Sequence, residues 1–169
     1  MSDTEFTCII DRRHLKEAPV TLNATPEQCA ALAKRFDIPQ VKSLTAKLTL
    51  QLEDGDVTAK GRMQASIVQS CAVSGDDLPV EVEESLSFRF VPDVTITEEE
   101  IELEEEDCDE IPYSGTSFDL GEAVAQSLAL AIDPFLTGPN ADQVRKEVGL
   151  LDETSAGPFA ALAGLKTKD

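Results

Sequence analysis

Residues 44–67 read Leu44-Thr-Ala-Lys-Leu-Thr-Leu-Gln-Leu-Glu-Asp-Gly-Asp-Val-Thr-Ala-Lys-Gly-Arg-Met-Gln-Ala-Ser-Ile67. Leu44, Ala46, Leu48, Leu50 and Leu52 fall on one side of an extended chain, and Thr45, Lys47, Thr49 and Gln51 on the other. That period of two is the mark of a strand with one buried face. Asp54-Gly55 reads as a hairpin turn. Val57, Ala59, Gly61, Met63, Ala65 and Ile67 resume the alternation on the return, with a bulge or tight bend expected at Gly61. The chain turns again at Ser74–Asp77, and Val80, Val82, Leu86, Phe88 and Phe90 line a third strand. Glu84 falls in phase with that apolar face and breaks it, which predicts a bulge or an edge position. The pattern is an α+β fold built on a three-stranded antiparallel meander or partly open barrel. One apolar sheet face of this length needs a cover.

Two helices are available as that cover. Thr25-Pro-Glu-Gln28 is a helix start, with Thr25 as cap, Pro26 in the first turn and Gln28 closing a capping box. Cys29, Leu32, Ala33 and Phe36 follow at helical spacing, and the helix is expected to end near Asp37, before Pro39. The second helix is written Asp119-Leu-Gly-Glu-Ala-Val-Ala-Gln-Ser-Leu-Ala-Leu-Ala-Ile-Asp-Pro134. Asp119 is its N-cap, and Glu122 is placed to reach back to it. Leu120, Ala123, Val124, Leu128 and Ala131 form one stripe. Leu130 and Ile132 widen the apolar surface, so cover on more than one side is expected. Asp133-Pro134 stops the helix. Before all this, residues 5–22 read as one strand and a loop, anchored by Phe6, Ile9 and Ile10.

The 169 residues carry 33 acidic and 14 basic side chains, a net charge of -19. Direct RNA binding is not expected of such a chain, since a phosphate backbone is held by clustered Lys and Arg. There is no Trp and a single Tyr, so a stacking platform for bases is not expected either. A basic partner fits the charge. No apolar run is long enough to span a bilayer, and Met1–Phe6 does not open a secretory signal. The expected location is cytoplasmic, with no membrane role.

Much of the charge lies in one stretch. Thr97 to Glu110 holds ten acidic residues and no basic one. Its plainest reading is a solvated, mobile loop over about 97–115, because like charges at this density repel. Ile101 and Leu103 hint at a brief strand within it. The stretch also reads as a contact for a basic protein, through Glu98, Glu99, Glu100, Glu104, Glu105, Glu106, Asp107, Asp109 and Glu110. A metal site is the weakest reading, since adjacent carboxylates on a flexible run lack a rigid cage. Residues 1–150 thus form a single α+β domain. Residues 151–169 form a linker and a short docking segment, where Phe159, Leu162 and Leu165 recur every third residue.

No phosphate-binding glycine loop is present. His14 is the single histidine, and no nucleophile is placed beside it by a recognisable motif. Asp76-Asp77 lacks the spacing of a calcium loop. Cys8, Cys29, Cys71 and Cys108 are far apart and include no C-x-x-C pair, so they read as free thiols. No catalytic residue, metal or cofactor is expected.

Several segments in order resemble the large ribosomal RNA subunit accumulation protein family, the YceD-like family. Gln69-Ser-Cys-Ala-Val-Ser74 is similar to its cysteine-containing turn. Many relatives carry C-x-x-C there, whereas this chain keeps Cys71 and has Ser74 at the second position. The Ser85–Pro92 strand, the acidic stretch, Asp119–Pro134 and the tail from Pro158 to Lys166 follow. The resemblance implies a non-enzymatic ribosome-biogenesis factor needed for accumulation of large-subunit ribosomal RNA. It also implies a partner: a basic large-subunit ribosomal protein, or another assembly factor. Two other classes fit the residues alone. An acidic nucleic-acid mimic that inhibits or adapts a basic enzyme needs its charges on rigid structure. A hydrolase with scattered carboxylates needs two buried carboxyls with raised pKa in a cleft.

Overall fold

The computed structural model describes residues 6–93 and 109–149. Among them the chain runs β1 (Ile9–Asp11), a short 3-10 turn (Arg12–His14), β2 (Pro19–Asn23), α1 (Pro26–Phe36), β3 (Gln40–Glu53), β4 (Asp56–Ser70), β5 (Asp77–Pro92), β6 (Asp109–Tyr113), β7 (Ser117–Asp119), α2 (Leu120–Ala131) and α3 (Ala141–Glu147). These residues fall into two compact units, one of 6–68, 79–93 and 109–132, the other of 69–78 and 133–149.

The first unit is built on an open sheet of five strands in the order β2-β3-β4-β5-β6, so no barrel closes. The expected meander is its centre. Leu44, Ala46, Leu48 and Leu50 on β3, and Val57, Ala59, Met63, Ala65 and Ile67 on β4, are all buried. Asp54 and Gly55 both take positive φ, 50° and 92°, as the two-residue turn matched to strand twist requires. The meander gains a strand at each edge. β2 pairs antiparallel with β3, so residues 5–22 hold two strands rather than one. β6 pairs parallel with β5 from Phe88↔Asp109 to Pro92↔Tyr113. The expected loop over 97–115 therefore stops short, because Tyr113 buries its ring and its hydroxyl donates to the Gly55 carbonyl at 3.3 Å. The rest of the acidic run, the brief strand expected at Ile101 and Leu103, and the tail from 151 lie outside the described residues.

Gly61 is not at a bulge. It pairs in register with Leu48, and the register shift falls between Val41 and Ser43 instead. A Cβ at Gly61 would overlap the Lys47 carbonyl oxygen and approach Leu48 Cα to 2.8 Å. The glycine is there because the neighbouring backbone comes close.

Both helices start as their sequences predict. Thr25 Oγ1 accepts from the Gln28 amide and Gln28 Oε1 from the Thr25 amide, the full capping box. Asp37 closes α1 in the left-handed region. Asp119 Oδ1 accepts from the Glu122 amide at 3.1 Å and from the Cys8 amide at 2.9 Å. The Glu122 carboxylate does not turn back to the cap. It takes a two-pronged ion pair from Arg35 on α1, at 2.6 and 2.9 Å, which ties the two helices together. β1 pairs with β7 beside this cap, and the Leu120 amide donates to the Cys8 carbonyl. Gly121 makes that approach possible, since a Cβ there would lie 2.7 Å from Cys8 N and Phe6 O.

Cys29, Leu32 and Ala33 of α1, and Leu120, Ala123, Val124 and Leu128 of α2, join one core with the sheet. Phe90 stacks on Phe118 at 4.1 Å between ring centroids. The expectation that α2 is covered on more than one side fails at Leu130, which is 85% exposed. The core also takes Gly121 and Ala125, and Ile132 packs against it, while among the described residues nothing covers Leu130.

A candidate partner-binding surface

Two of the acidic residues expected to contact a partner, Asp109 and Glu110, open β6, while Glu98, Glu99, Glu100, Glu104, Glu105, Glu106 and Asp107 lie outside the described residues. The tail residues Phe159, Leu162 and Leu165 lie outside them too. Strand alternation sends Asp109 and Glu110 to opposite sides. Glu110 sits opposite Arg89, with a long 3.7 Å ion pair. That arginine pairs more closely with Asp56, at 2.7 Å. Asp109 falls in phase with Ile111 and the buried Tyr113, on the side where the core lies.

On that side Asp109 meets a second misfit. Glu84 is exposed, although it is in phase with Val82, Leu86 and Phe88. β6 pairs with β5 only from Phe88 onward, so Glu84 stands on an edge of the described sheet. The edge reading of Glu84 therefore holds. Glu84, Asp109, Ser127, Leu130 and Ala131 line a hollow of about 240 Å³ between β5 and α2. It joins two carboxylates to an uncovered leucine. Two carboxylates beside an apolar side chain are chemically complementary to a basic segment carrying an apolar group, whose charges would be oriented and whose apolar part would be buried. The sequence offers Asp109 as a candidate contact and marks Glu84 as out of phase with its strand. It does not mark Leu130 as exposed, because a helix apolar on several sides does not reveal which side stays open.

A larger hollow of about 730 Å³ opens between α1 and the start of β3. Cys29, Ala33, Val41 and Leu44 form its floor and Lys34 and Lys42 lie on its rim, with no carboxylate or histidine in the lining. His14 is exposed in the 3-10 turn, with Nδ1 3.6 Å from Asp11 Oδ2. Among the described residues no carboxylate is buried. The Arg35 ion pair holds the Glu122 carboxyl below its usual range, and the Ser74 hydroxyl does the same for Asp76. The pair of buried, raised carboxyls that a hydrolase reading needs is not among these residues.

The second unit is organised around Cys71. Its Sγ accepts the amides of Ser74 and Gly138, each at 3.3 Å. The Ser74 side chain, whose one hydroxyl proton is shared between the sulfur and Asp76, then the Gly138 and Ser74 amides, favour the thiolate and draw the Cys71 pKa down to about 6. Burial acts the other way on Cys8 and Cys29, whose thiols are pushed up. The Ala72 amide donates to the Leu136 carbonyl, and Gln69 Nε2 to the Asp133 carbonyl at 2.9 Å. Ser74 Oγ and Asn140 Nδ2 both donate to Asp76 Oδ2, at 2.8 and 3.1 Å. Cys71 is thus a linchpin of a small loop cluster, and Ser74 is committed within it. No group of three or more His, Cys, Asp or Glu among the described residues is placed to hold a metal ion.

The family model described as large ribosomal RNA subunit accumulation protein YceD matches residues 59–166. The chain belongs to this family. The matched span takes in β4 from Ala59 onward, β5 to β7, α2 and α3, the Cys71 cluster, and both Asp109 and Leu130. β1 to β3, α1 and the first residues of β4 lie ahead of the match. No curated protein and no solved structure matches the chain. Among the described residues no helix is long and apolar enough to cross a membrane.

Proposed function

We propose that this protein acts in the cytoplasm as a non-enzymatic factor for accumulation of large-subunit ribosomal RNA, by holding a basic ribosomal protein or assembly factor. Membership of the YceD family supports the ribosomal role. The partner is argued from the surface: Asp109, at the end of the acidic run, lies with Glu84 beside the uncovered Leu130. The run from Glu98 to Glu110 supplies attraction for a basic protein and steers its approach. Phe159, Leu162 and Leu165 are the apolar contacts proposed from the tail.

The test has two arms. Deleting the gene should lower mature large-subunit RNA relative to small-subunit RNA, and a normal ratio would reject the biogenesis role. The purified protein should bind a basic large-subunit ribosomal protein with an affinity that falls with salt, and should hold naked RNA poorly at physiological salt. Tight RNA binding with no captured ribosomal protein would reject the mechanism.

A further inference from the structure

Cations are few in this chain, and several arginines are held by its own carboxylates: Arg13 by Asp11, Arg35 by Glu122, Arg89 by Asp56 and Arg145 by Asp142. The solvent face of the β3–β4 pair departs from that pattern. Core positions on these strands alternate with outward ones. From Thr45 to Thr49 on β3 and from Thr58 to Ser66 on β4, the outward positions hold three cations and no carboxylate. Lys47 stands directly opposite Arg62, and Thr49 opposite Lys60, so Lys47 and Lys60 are diagonal neighbours. Opposed and diagonal positions on an antiparallel pair lie within about 8 Å of each other. The three cations are therefore a compact cluster, and all three are exposed. Among the described residues, Glu53 and Asp56 stand at its hairpin end and Glu81 and Glu83 beside it on β5.

Like charges set opposite each other work against the sheet. Lys47 and Lys60 have no ion-pair partner among the described residues. Arg62 reaches Glu83 at 3.3 Å, with side chains 74% and 58% exposed. Water screens such a pair, and a denser anion can displace it.

We propose that this face binds the phosphate backbone of single-stranded RNA through Lys47, Lys60 and Arg62, with Thr45, Thr49 and Thr58 as hydroxyl donors. A phosphodiester strand is favoured over an acidic protein segment because it carries condensed counterions, whose release drives binding even to a few cations. Sparse carboxylates bring no such gain, and the net charge of -19 repels them equally. No aromatic side chain stands at these outward positions, so the contact reads backbone and not base. The choice of RNA rests on the ribosomal role proposed above. The acidic surface around Asp109 would hold the protein partner while this opposite-signed face touches the RNA. The overall charge keeps the contact weak in the free chain, and it gains strength when a shared complex raises the local RNA concentration.

The test is a titration of the full-length, nitrogen-labelled chain with a single-stranded RNA oligonucleotide at low salt, read by amide chemical shifts. Shifts should concentrate at Lys47, Thr49, Lys60 and Arg62. Three phosphate contacts give a log–log salt slope of about −2, so tripling the salt should weaken binding roughly tenfold. Lys47→Gln/Lys60→Gln/Arg62→Gln should remove the shifts while leaving the remaining spectrum folded, and Lys60→Gln alone should weaken them. Absent shifts, shifts elsewhere, an unchanged triple variant, or equal binding of polyglutamate at matched charge would each overturn the proposal. Binding of the basic ribosomal protein by the triple variant is measured alongside. Its failure in the wild-type chain would sink the proposed protein partner and leave the RNA face standing.

Discussion

Leu128 and Leu130 sit two residues apart on α2 and should respond in opposite ways to the same substitution. Leu128 is 0% exposed within the core, whereas Leu130 is 85% exposed on the rim of the hollow with Glu84 and Asp109. Leu128→Ala removes buried methyl groups and leaves a cavity, which costs about 2–5 kcal/mol. For a chain of this size 3 kcal/mol lowers Tm by roughly 6–12 °C. Leu130→Ala removes nothing from the core and should change stability by no more than about 0.5 kcal/mol, a shift of roughly 1–2 °C. Binding should reverse the order. If the partner buries Leu130, losing its three outer carbons costs about 2 kcal/mol, or roughly thirtyfold in Kd. Thermal unfolding by circular dichroism and calorimetric titration with the basic partner give both numbers on the same samples. A fall in Tm for Leu130→Ala as large as that for Leu128→Ala would mean that the chain itself covers Leu130. An unchanged Kd would remove the leucine from the interface.

Two further outcomes are expected. Gly61→Ala sets a Cβ against the Lys47 carbonyl and the Leu48 backbone, neither of which can rotate away, and should cost at least about 1–3 kcal/mol in denaturant unfolding; a neutral result would mean that β3 and β4 can separate there freely. The Cys71 pKa is drawn down to about 6 from 9.0, so its contribution to stability is full above pH 9 and is lost as pH falls through 6. Wild type should therefore lose stability relative to Cys71→Ala over that window on acidification, and thiolate ultraviolet absorbance should titrate near the lower value. A midpoint at the ordinary cysteine value would dissolve the cluster proposed around its sulfur.

The legible parts of this fold are those in which one residue's environment is set by its near neighbours in sequence. Leucine alternation fixed β3, and Asp54-Gly55 fixed its turn into β4. The reciprocal Thr25 and Gln28 bonds lie three residues apart and are visible in the sequence. What escaped is set at long range. β6 reads Asp-Glu-Ile-Pro-Tyr, with two carboxylates and a proline, and its composition does not announce a strand. It is a strand because Ile111 and Tyr113 find β5 and the core, and Pro112 is tolerated at an edge. The Gly138 amide reaches Cys71 across 67 positions, and no local pattern foretells that bond. Glu122 fits a capping box by spacing, yet the charge of Arg35, 87 positions away, outcompetes its own backbone.

The candidate site inherits the same division. The acidic run was plain in the sequence, but its relation to the sheet was not. A strand that pairs parallel to its predecessor needs a connection of a dozen or more residues, and residues 93–108 between β5 and β6 supply that length. Nine of the sixteen residues from 93 to 108 are carboxylates. β6 then fixes the end of the run, so Asp109 stands beside Leu130 by strand register. On the proposed reading, attraction from the run and an apolar contact at its end play separable parts: the first would set how fast a basic partner arrives and how strongly salt opposes it, the second how long the partner stays.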